Sequence, residues 1–508
     1  MKSNSKKTCE RHVIKWIGAP GTGKTSQLLA LLKTETKLRP ADRIAFCSFT
    51  RAAVEEAATR CGLSPLPRYF KTIHALCYQE LGLSKHEVVT EARLRRFMSK
   101  LGYTHGPTQS EDNLLFMPDV HDPASLVMQE IFRAKAECRQ WEIKNLPGTV
   151  DHLMAKHIAN SYEAWKETEA LIDFNDFLWS YLESGAPLPV DVAFIDEAQD
   201  LSELQWAVVE HMFKNAELVH IAGDSYQNLY EWSGSSRHGF DSHFQSRQDT
   251  KCITKILPHS YRLPIFVDAL ARKQQEWIGG IRDVSPTANM GRIALMGSDV
   301  LCAASVIADA REQRQSVLVL VRNNYQITMW IDLATTYAWR WVSTAKNGNN
   351  RAVESVVIWK RAQRGASINS EQARMMANFT REPLPLETGD DGFILTDQAR
   401  KIPWWTALPL LPLMPYIREL ELTGQLQEKP WLTFSTIHGA KGMEADVVLL
   451  MADLSYAAWD RMHRDAIPEH RTFYVATTRA REALYVIAPQ TSLFYGSLVQ
   501  TMIAWGTA

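Results

Sequence analysis

Short apolar runs that stop at polar or glycine-rich turns recur along the chain, and most are followed by a stretch with helical spacing. Val13-Ile-Lys-Trp-Ile17 precedes such a turn, and Ser26-Gln-Leu-Leu-Ala-Leu-Leu32 follows it as a helix-compatible run. Arg43-Ile-Ala-Phe-Cys-Ser-Phe49 alternates like a strand, and residues 51–60 read as a helix. Further strands are expected at 192–195, 217–222, 316–321, 446–451 and 483–487, while residues 79–166 are mostly helical in pattern. Continuous apolar strands alternating with helices are the mark of parallel sheets covered on both faces. The pattern predicts an α/β chain with two parallel-sheet lobes and mainly helical insertions. No repeat period and no low-complexity tract interrupts it.

The turns between these elements carry the candidate chemistry. Gly18-Ala-Pro-Gly21-Thr-Gly23-Lys24-Thr25 lies between a strand and a helix, the context of a phosphate-binding loop. Its glycines let backbone N–H groups converge on phosphate oxygens, Lys24 would reach the β- and γ-phosphates, and the Thr25 hydroxyl would ligate Mg²⁺. The strand at 192–195 ends in Asp196-Glu197-Ala-Gln199-Asp200. There Asp196 would hold Mg²⁺ and Glu197 would orient or deprotonate the attacking water. After the next strand comes Gly223-Asp224-Ser-Tyr-Gln227-Asn-Leu-Tyr230-Glu-Trp232-Ser-Gly234, where Gln227 would sense a γ-phosphate and Trp232 would offer a flat face to a base. The second half has no glycine loop but supplies arginines at 262 and 479. ATP is therefore expected in the cleft between the lobes, with phosphate chemistry on one and arginine fingers on the other.

Composition changes this picture little. With 56 Lys+Arg against 57 Asp+Glu the net charge is -1, so nucleic acid has to be bound by a local groove, not by a global field. The seven cysteines form no CxxC pair, which suits reduced thiols in a cytoplasm. Residues 1–12 are polar and basic without the apolar core of a signal peptide. The apolar stretch 402–417 is broken by Pro403, Pro409, Pro412 and Pro415, so it is too short to span a membrane and is expected to pack inside the insertion 345–429, with a partner contact as the alternative.

In this order the segments resemble the helicase motifs of superfamily 1, of the UvrD/Rep/PcrA type. Gly18 to Thr25 resembles motif I, Phe49-Thr50-Arg51-Ala-Ala53 motif Ia, Lys71-Thr72-Ile-His74 motif Ib, and Ile172-Asp173-Phe174 a short element before motif II. Asp196 to Asp200 resembles motif II, Gly223 to Gly234 motif III, and Ser260-Tyr261-Arg262 motif IV. Thr436-Ile-His438-Gly439-Ala-Lys441-Gly442-Met-Glu444 resembles motif V, and Tyr474 to Arg481 motif VI. The resemblance implies two RecA-like lobes: 1–78 with 167–250 as the first (1A), and 251–344 with 430–508 as the second (2A). Residues 79–166 would form the helical insertion 1B, and 345–429 a short, mainly helical 2B. Carried over by position, Gly18, Gly21, Gly23, Lys24, Thr25, Asp196, Glu197, Gln227, Arg262 and Arg479 would form the ATPase site, with Tyr261 on the adenine and Glu444 near the ribose. Phe49, Thr50, Thr72, His74, Trp232, Thr436 and His438 would line the DNA groove.

The chain departs from the family in three places. No glutamine-bearing adenine motif is seen before motif I, Ser26 and Ser233 stand where arginines are usual, and the insertions are short. Asp453 to Pro468 leaves room only for a small wedge, with Tyr456 or Trp459 as the stacking residue. No ATP-site motif lies in 350–425, so that segment is expected to be dispensable for ATPase. The expected function is an ATP-dependent helicase or translocase moving 3′ to 5′ on single-stranded DNA and DNA junctions, using ATP and Mg²⁺, in a bacterial or phage-type cytoplasm. Stripping of nucleoprotein, or an ATP-controlled DNA-binding switch, is the alternative. A small-molecule kinase would leave residues 430–508 unexplained.

Overall fold

The computed structural model describes residues 11–103, 122–246, 250–344, 349–389 and 391–506. Residues 1–10, on which the absence of a leader and of the glutamine motif was expected, are outside that set. The chain divides into two compact units, Met1–Met290 with Arg461–Thr478, and Gly291–Asp460 with Arg479–Ala508.

The first unit is built on five parallel strands: β1 (Arg11–Ile17), β2 (Ile44–Cys47), β3 (Val192–Ile195), β4 (Leu218–Gly223) and β5 (Thr250–Ile256), in the order β2-β3-β4-β1-β5. Every residue of β2 and β3 is buried, because both faces of the sheet are covered. On β3, Ala193 and Ile195 join one core while Val192 and Phe194 join the other, as strand alternation requires. Polar caps start the surrounding helices. Thr50 accepts from Ala53 N at 3.2 Å to open Arg51–Arg60, and Thr72 accepts from Ala75 N at 3.3 Å to open Ile73–Glu80. Each such cap contributes about 1 kcal/mol. The helical insertion has its own core, in which Leu94, Val127, Ile131, Ile158 and Tyr162 meet.

The segment after residue 250 falls differently from expectation. β5 pairs with β1 in parallel, Val13 opposite Cys252, and so covers a sheet edge that would otherwise stand unpaired. Helix Ile265–Ile278 then packs on helix Ile467–Thr477, with Ala271, Ile278 and Tyr474 in one apolar cluster and Gln275 Nε2 donating to Tyr474 Oη at 3.0 Å. Residues 251–290 and 461–478 thus belong to the first compact unit, not the second.

The second unit holds β6 (Arg292–Met296), β7 (Val317–Val321), β8 (Trp341–Ser343), the antiparallel hairpin β9 (Leu386–Gly389) and β10 (Gly392–Leu395), β11 (Leu432–Thr436), β12 (Ala445–Met451) and β13 (Ala480–Ile487). Six of these form a parallel sheet in the order β6-β13-β12-β7-β11-β8. The two parallel α/β sheets agree with the predicted fold class. No helix among the described residues is long and apolar enough to cross a membrane.

Between β8 and β11 the described residues are mainly helical, and their buried side chains join the core of the sheet layer. Trp359, Trp404, Leu408, Tyr416 and Ile417 share one buried cluster with Val319, Trp330, Trp341, Leu432 and Phe434 of the sheet layer. Tyr416 Oη donates to Trp339 O at 2.7 Å and Gln425 Nε2 to Ala338 O at 2.9 Å. The apolar stretch 402–417 thus contributes to a core shared with the sheet, not one inside the insertion alone, and the segment is not the dispensable appendage anticipated above, because its removal would uncover part of one face of the second sheet. Trp359→Ala is expected to destabilise this unit by about 3–5 kcal/mol, read as an early transition in thermal melting. Deletion of 350–425 is expected to abolish ATPase through unfolding of the second unit, with circular dichroism as the check.

Candidate nucleotide and DNA sites

The glycine loop closes between β1 and helix Lys24–Leu38. Gly21 and Gly23 have φ of 75° and 78°, which only glycine adopts without strain. A Cβ on Gly21 would also collide with Arg262 Cβ and lie 2.8 Å from Ser260 Oγ. That crowding exists because Ser260-Tyr261-Arg262 is clamped to the loop: Ser260 Oγ donates to Pro20 O at 2.9 Å and Tyr261 N to Gly21 O at 2.8 Å. The Tyr261 ring passes 3.8 Å from where a Gly23 Cβ would be, yet is 79% exposed, an open face beside the loop. Arg262 Nη1 reaches Thr478 O at 3.5 Å, within the first unit.

Lys24 is buried, and its Nζ donates to Gly18 O at 2.8 Å. Burial lowers its pKa against the pull of Asp224, Glu197 and Asp196. The ammonium thus sits on a carbonyl of its own loop, where an anion would serve better. The carboxylates come from neighbouring strands, since β3, β4 and β1 are adjacent and end side by side. Thr25 Oγ1 donates to Asp196 Oδ2 at 2.7 Å. Burial, then the Glu197 charge, raises the Asp196 carboxyl to about 6. A hydroxyl beside a crowded carboxylate is the hard-oxygen set that suits Mg²⁺, which takes few protein ligands and completes its shell with phosphate and water. No group of three or more His, Cys, Asp or Glu among the described residues would hold a metal unaided.

Glu197 has φ 55° and ψ 36°, a left-handed conformation that costs a non-glycine residue about 1–2 kcal/mol. Its Oε2 accepts from Gln199 Nε2 at 2.5 Å, and Gln199 Oε1 accepts from Asp224 N at 3.0 Å. Gln227 Nε2 donates to the other side of Asp224, at Oδ2, over 2.8 Å. Lys24, Thr25, Asp196, Glu197, Gln227, Tyr261 and Arg262 are thus brought together in the first unit.

A cavity of about 90 Å³ opens in the same unit, lined by Phe49, Thr72, His74 and Trp232 with Phe132 and Arg133 from the helical insertion. Phe49 stacks on Tyr230 with centroids 4.8 Å apart, and Tyr230 lies 6.5 Å from Trp232. Trp232 Nε1 and Ser48 Oγ are buried with no hydrogen-bond partner, in a cavity where a ligand edge would satisfy them. Burial holds His74 down at about 4, so it is neutral at physiological pH. Thr50 caps its helix but does not line this cavity.

In the second unit, Thr436 ends β11 and its hydroxyl accepts from Gly439 N at 3.1 Å, turning the chain just beyond His438. Arg479 is buried and donates to Met443 O at 3.3 Å, so it is not the surface salt-bridge residue that a lone arginine usually is. Glu444 pairs with Arg481 at 3.4 Å.

A family model of the UvrD/REP helicase N-terminal domain matches residues 2–247, and one of the UvrD-like helicase C-terminal domain matches residues 414–491. The chain belongs to the UvrD/Rep family of helicases. It is accordingly an enzyme, a DNA-dependent ATPase of the helicase class. Proteins named ATP-dependent DNA helicase UvrD2 from Mycobacterium tuberculosis and Mycobacterium bovis are each 23% identical over 538 residues, covering 92% of this chain and 75% of the relative. F-box DNA helicase protein 1 of Schizosaccharomyces pombe is 26% identical over 275 residues, covering 48% of this chain and 29% of that protein.

Some neighbours of these helicase motifs escaped the sequence reading. Ser48 precedes Phe49 in an apolar strand end, where a serine gives no signal. Thr344 Oγ1 lies 2.7 Å from Ser435 Oγ, and both crowd Gly439 together with Thr436, a hydroxyl cluster assembled from segments about ninety positions apart. Only strand pairing of β8 with β11 brings them together. Gly21→Ala is expected to push Arg262 off the loop and weaken nucleotide affinity by at least about tenfold, ~1.4 kcal/mol, as read by titration with a fluorescent ATP analogue.

Proposed function

We propose that this helicase moves 3′ to 5′ along single-stranded DNA, driven by Mg²⁺-ATP at the glycine loop. One observation carries the reading. The single turn after β4 starts with Asp224 and Gln227 beside Lys24 and the motif II acids, and ends with Trp232 in the aromatic cavity. A change at the phosphate end of so short a turn is felt at the base-binding end, which is the coupling a translocase needs. In this reading Lys24 and the loop amides hold the β- and γ-phosphates, while Thr25 and Asp196 hold Mg²⁺, which supplies charge neutralisation on the phosphates. Glu197 accepts the proton of the attacking water, and Gln227 reads the γ-phosphate.

Tyr261 stacks on the base, and Arg262 stabilises the transferring phosphoryl group from within the first unit. The same charge role for Arg479, and a ribose contact for Glu444, rest on the family resemblance. Phe49, Thr72, His74 and Trp232 take bases and backbone in the cavity, Thr50 adds a helix start, and Thr436 and His438 act on the second unit. Stacking and helix-start amides give binding without sequence readout. Junctions with a single-stranded arm are the substrates this predicts, in a cytoplasmic setting.

A second reading, translocation that strips bound protein with little strand separation, is favoured by the stretch between motifs V and VI. Its short helix Tyr456–Arg464 presents an exposed Tyr456 stacked on Trp459 and nothing larger as a wedge.

Lys24→Ala and Glu197→Gln are both expected to abolish turnover but to separate in binding. The first loses ATP affinity, whereas the second keeps ATP bound and unhydrolysed, a distinction made by filter binding beside phosphate release. Unwinding is expected for duplexes with a 3′ tail and not a 5′ tail, and affinity for single strands should fall steeply with salt. Equal unwinding of both substrates would refute the polarity.

A further inference from the structure

Arg282 belongs to none of the motifs, yet it contacts three consecutive residues of the phosphate-sensing turn. Its Nη1 pairs with Asp224 Oδ1, its Nη2 donates to Ser225 Oγ at 2.7 Å, and its guanidinium lies 4.0 Å above the Tyr226 ring. The position of Arg282 is itself over-determined. Its backbone N donates to Gln275 Oε1 at 2.9 Å, and the carbonyl of Gly280 accepts from Tyr226 Oη at 2.9 Å.

The partner explains the effort. Asp224 is wholly buried, and its two oxygens are divided between Arg282 with Tyr226 N on one side and the Gln227 amide on the other. A buried carboxylate needs a cation, and those acting most strongly on Asp224 are Arg282 and then Lys24, with a weaker pull from Arg471. Lys24 is the cation that nucleotide binding recruits, because the phosphates draw its ammonium away. Arg282 is then the charge that stays. It keeps Asp224 as an ionised acceptor that fixes which way the Gln227 amide faces.

We propose that Arg282 is a positioning residue for hydrolysis, acting through Asp224 to orient Gln227 toward the γ-phosphate. This rests on the reading of Gln227 given above. ADP lacks the γ-phosphate, so ADP affinity is not expected to depend on Arg282, whereas a merely structural ion pair would weaken both nucleotides and the fold together.

The test is a double-mutant cycle on the full chain, with DNA-stimulated ATPase, fluorescent-ADP titration and thermal melting measured on R282A, R282K, Q227A and R282A/Q227A. Expected are a fall in kcat of about tenfold or more for R282A, KM for ATP and Kd for ADP within about twofold, partial recovery in R282K, and a double variant no slower than Q227A within about twofold. Losses that multiply in the double variant, or ADP affinity that falls in step with kcat, would overturn the assignment of Arg282 while leaving Gln227 in place. Unchanged turnover in Q227A would overturn the Gln227 reading and this inference with it. Should R282A fail to fold, R282K/Q227A closes the same cycle.

Discussion

An ammonium buried at the carboxyl end of a parallel sheet has to be surrounded by oxygen, and in this protein the placement of Lys24 organises much of the first unit. Its own loop supplies carbonyls, and the neighbouring strands supply Asp196, Glu197 and Asp224. The loop can hold that shape only because three of its positions are glycine and because Ser260 and Tyr261 tie it down from a distant segment. Bringing three carboxylates near one lysine also creates the opposite strain, seen in the raised Asp196 carboxyl. In the proposed function a magnesium nucleotide would answer both, giving the lysine an anion and the acids a cation.

The turn that follows β4 ties this charged cluster to the aromatic cavity. Its first residue is wholly buried and its last aromatic borders the cavity, so the turn has little freedom to move one end alone. The exposed wall of the cavity is mostly apolar, with a neutral His74, unpartnered polar atoms at Ser48 and Trp232, and Arg133, Asp173 and Asp200 among its lining. Such a lining favours the faces of bases over their phosphates. Under the proposed function, sequence-tolerant stacking in this cavity would be the property that movement along an arbitrary strand requires.

Compactness in the second unit follows from economy of core. A segment the length of 345–429 would bury a modest core alone. Here its tryptophans and Tyr416 are shared with the sheet, so one apolar cluster serves both.

How much of this was legible beforehand depends on the range over which each residue acts. The glycine loop, the acid pair after β3, Gln227 and Trp232 could be found in sequence because strand, turn and helix are neighbours there, and local patterning dictates them. The caps at Thr50 and Thr72 are local in the same sense. Three features were out of reach: the allegiance of 251–290 and 461–478 to the first unit, the shared core of the second, and the grip of Arg282 on Asp224. Each depends on residues far apart in the chain meeting across packed surfaces. Periodicity states which face of a helix is apolar, but not which of two sheets will cover it. An isolated arginine likewise has no sequence signature until the buried carboxylate it must neutralise lies beside it.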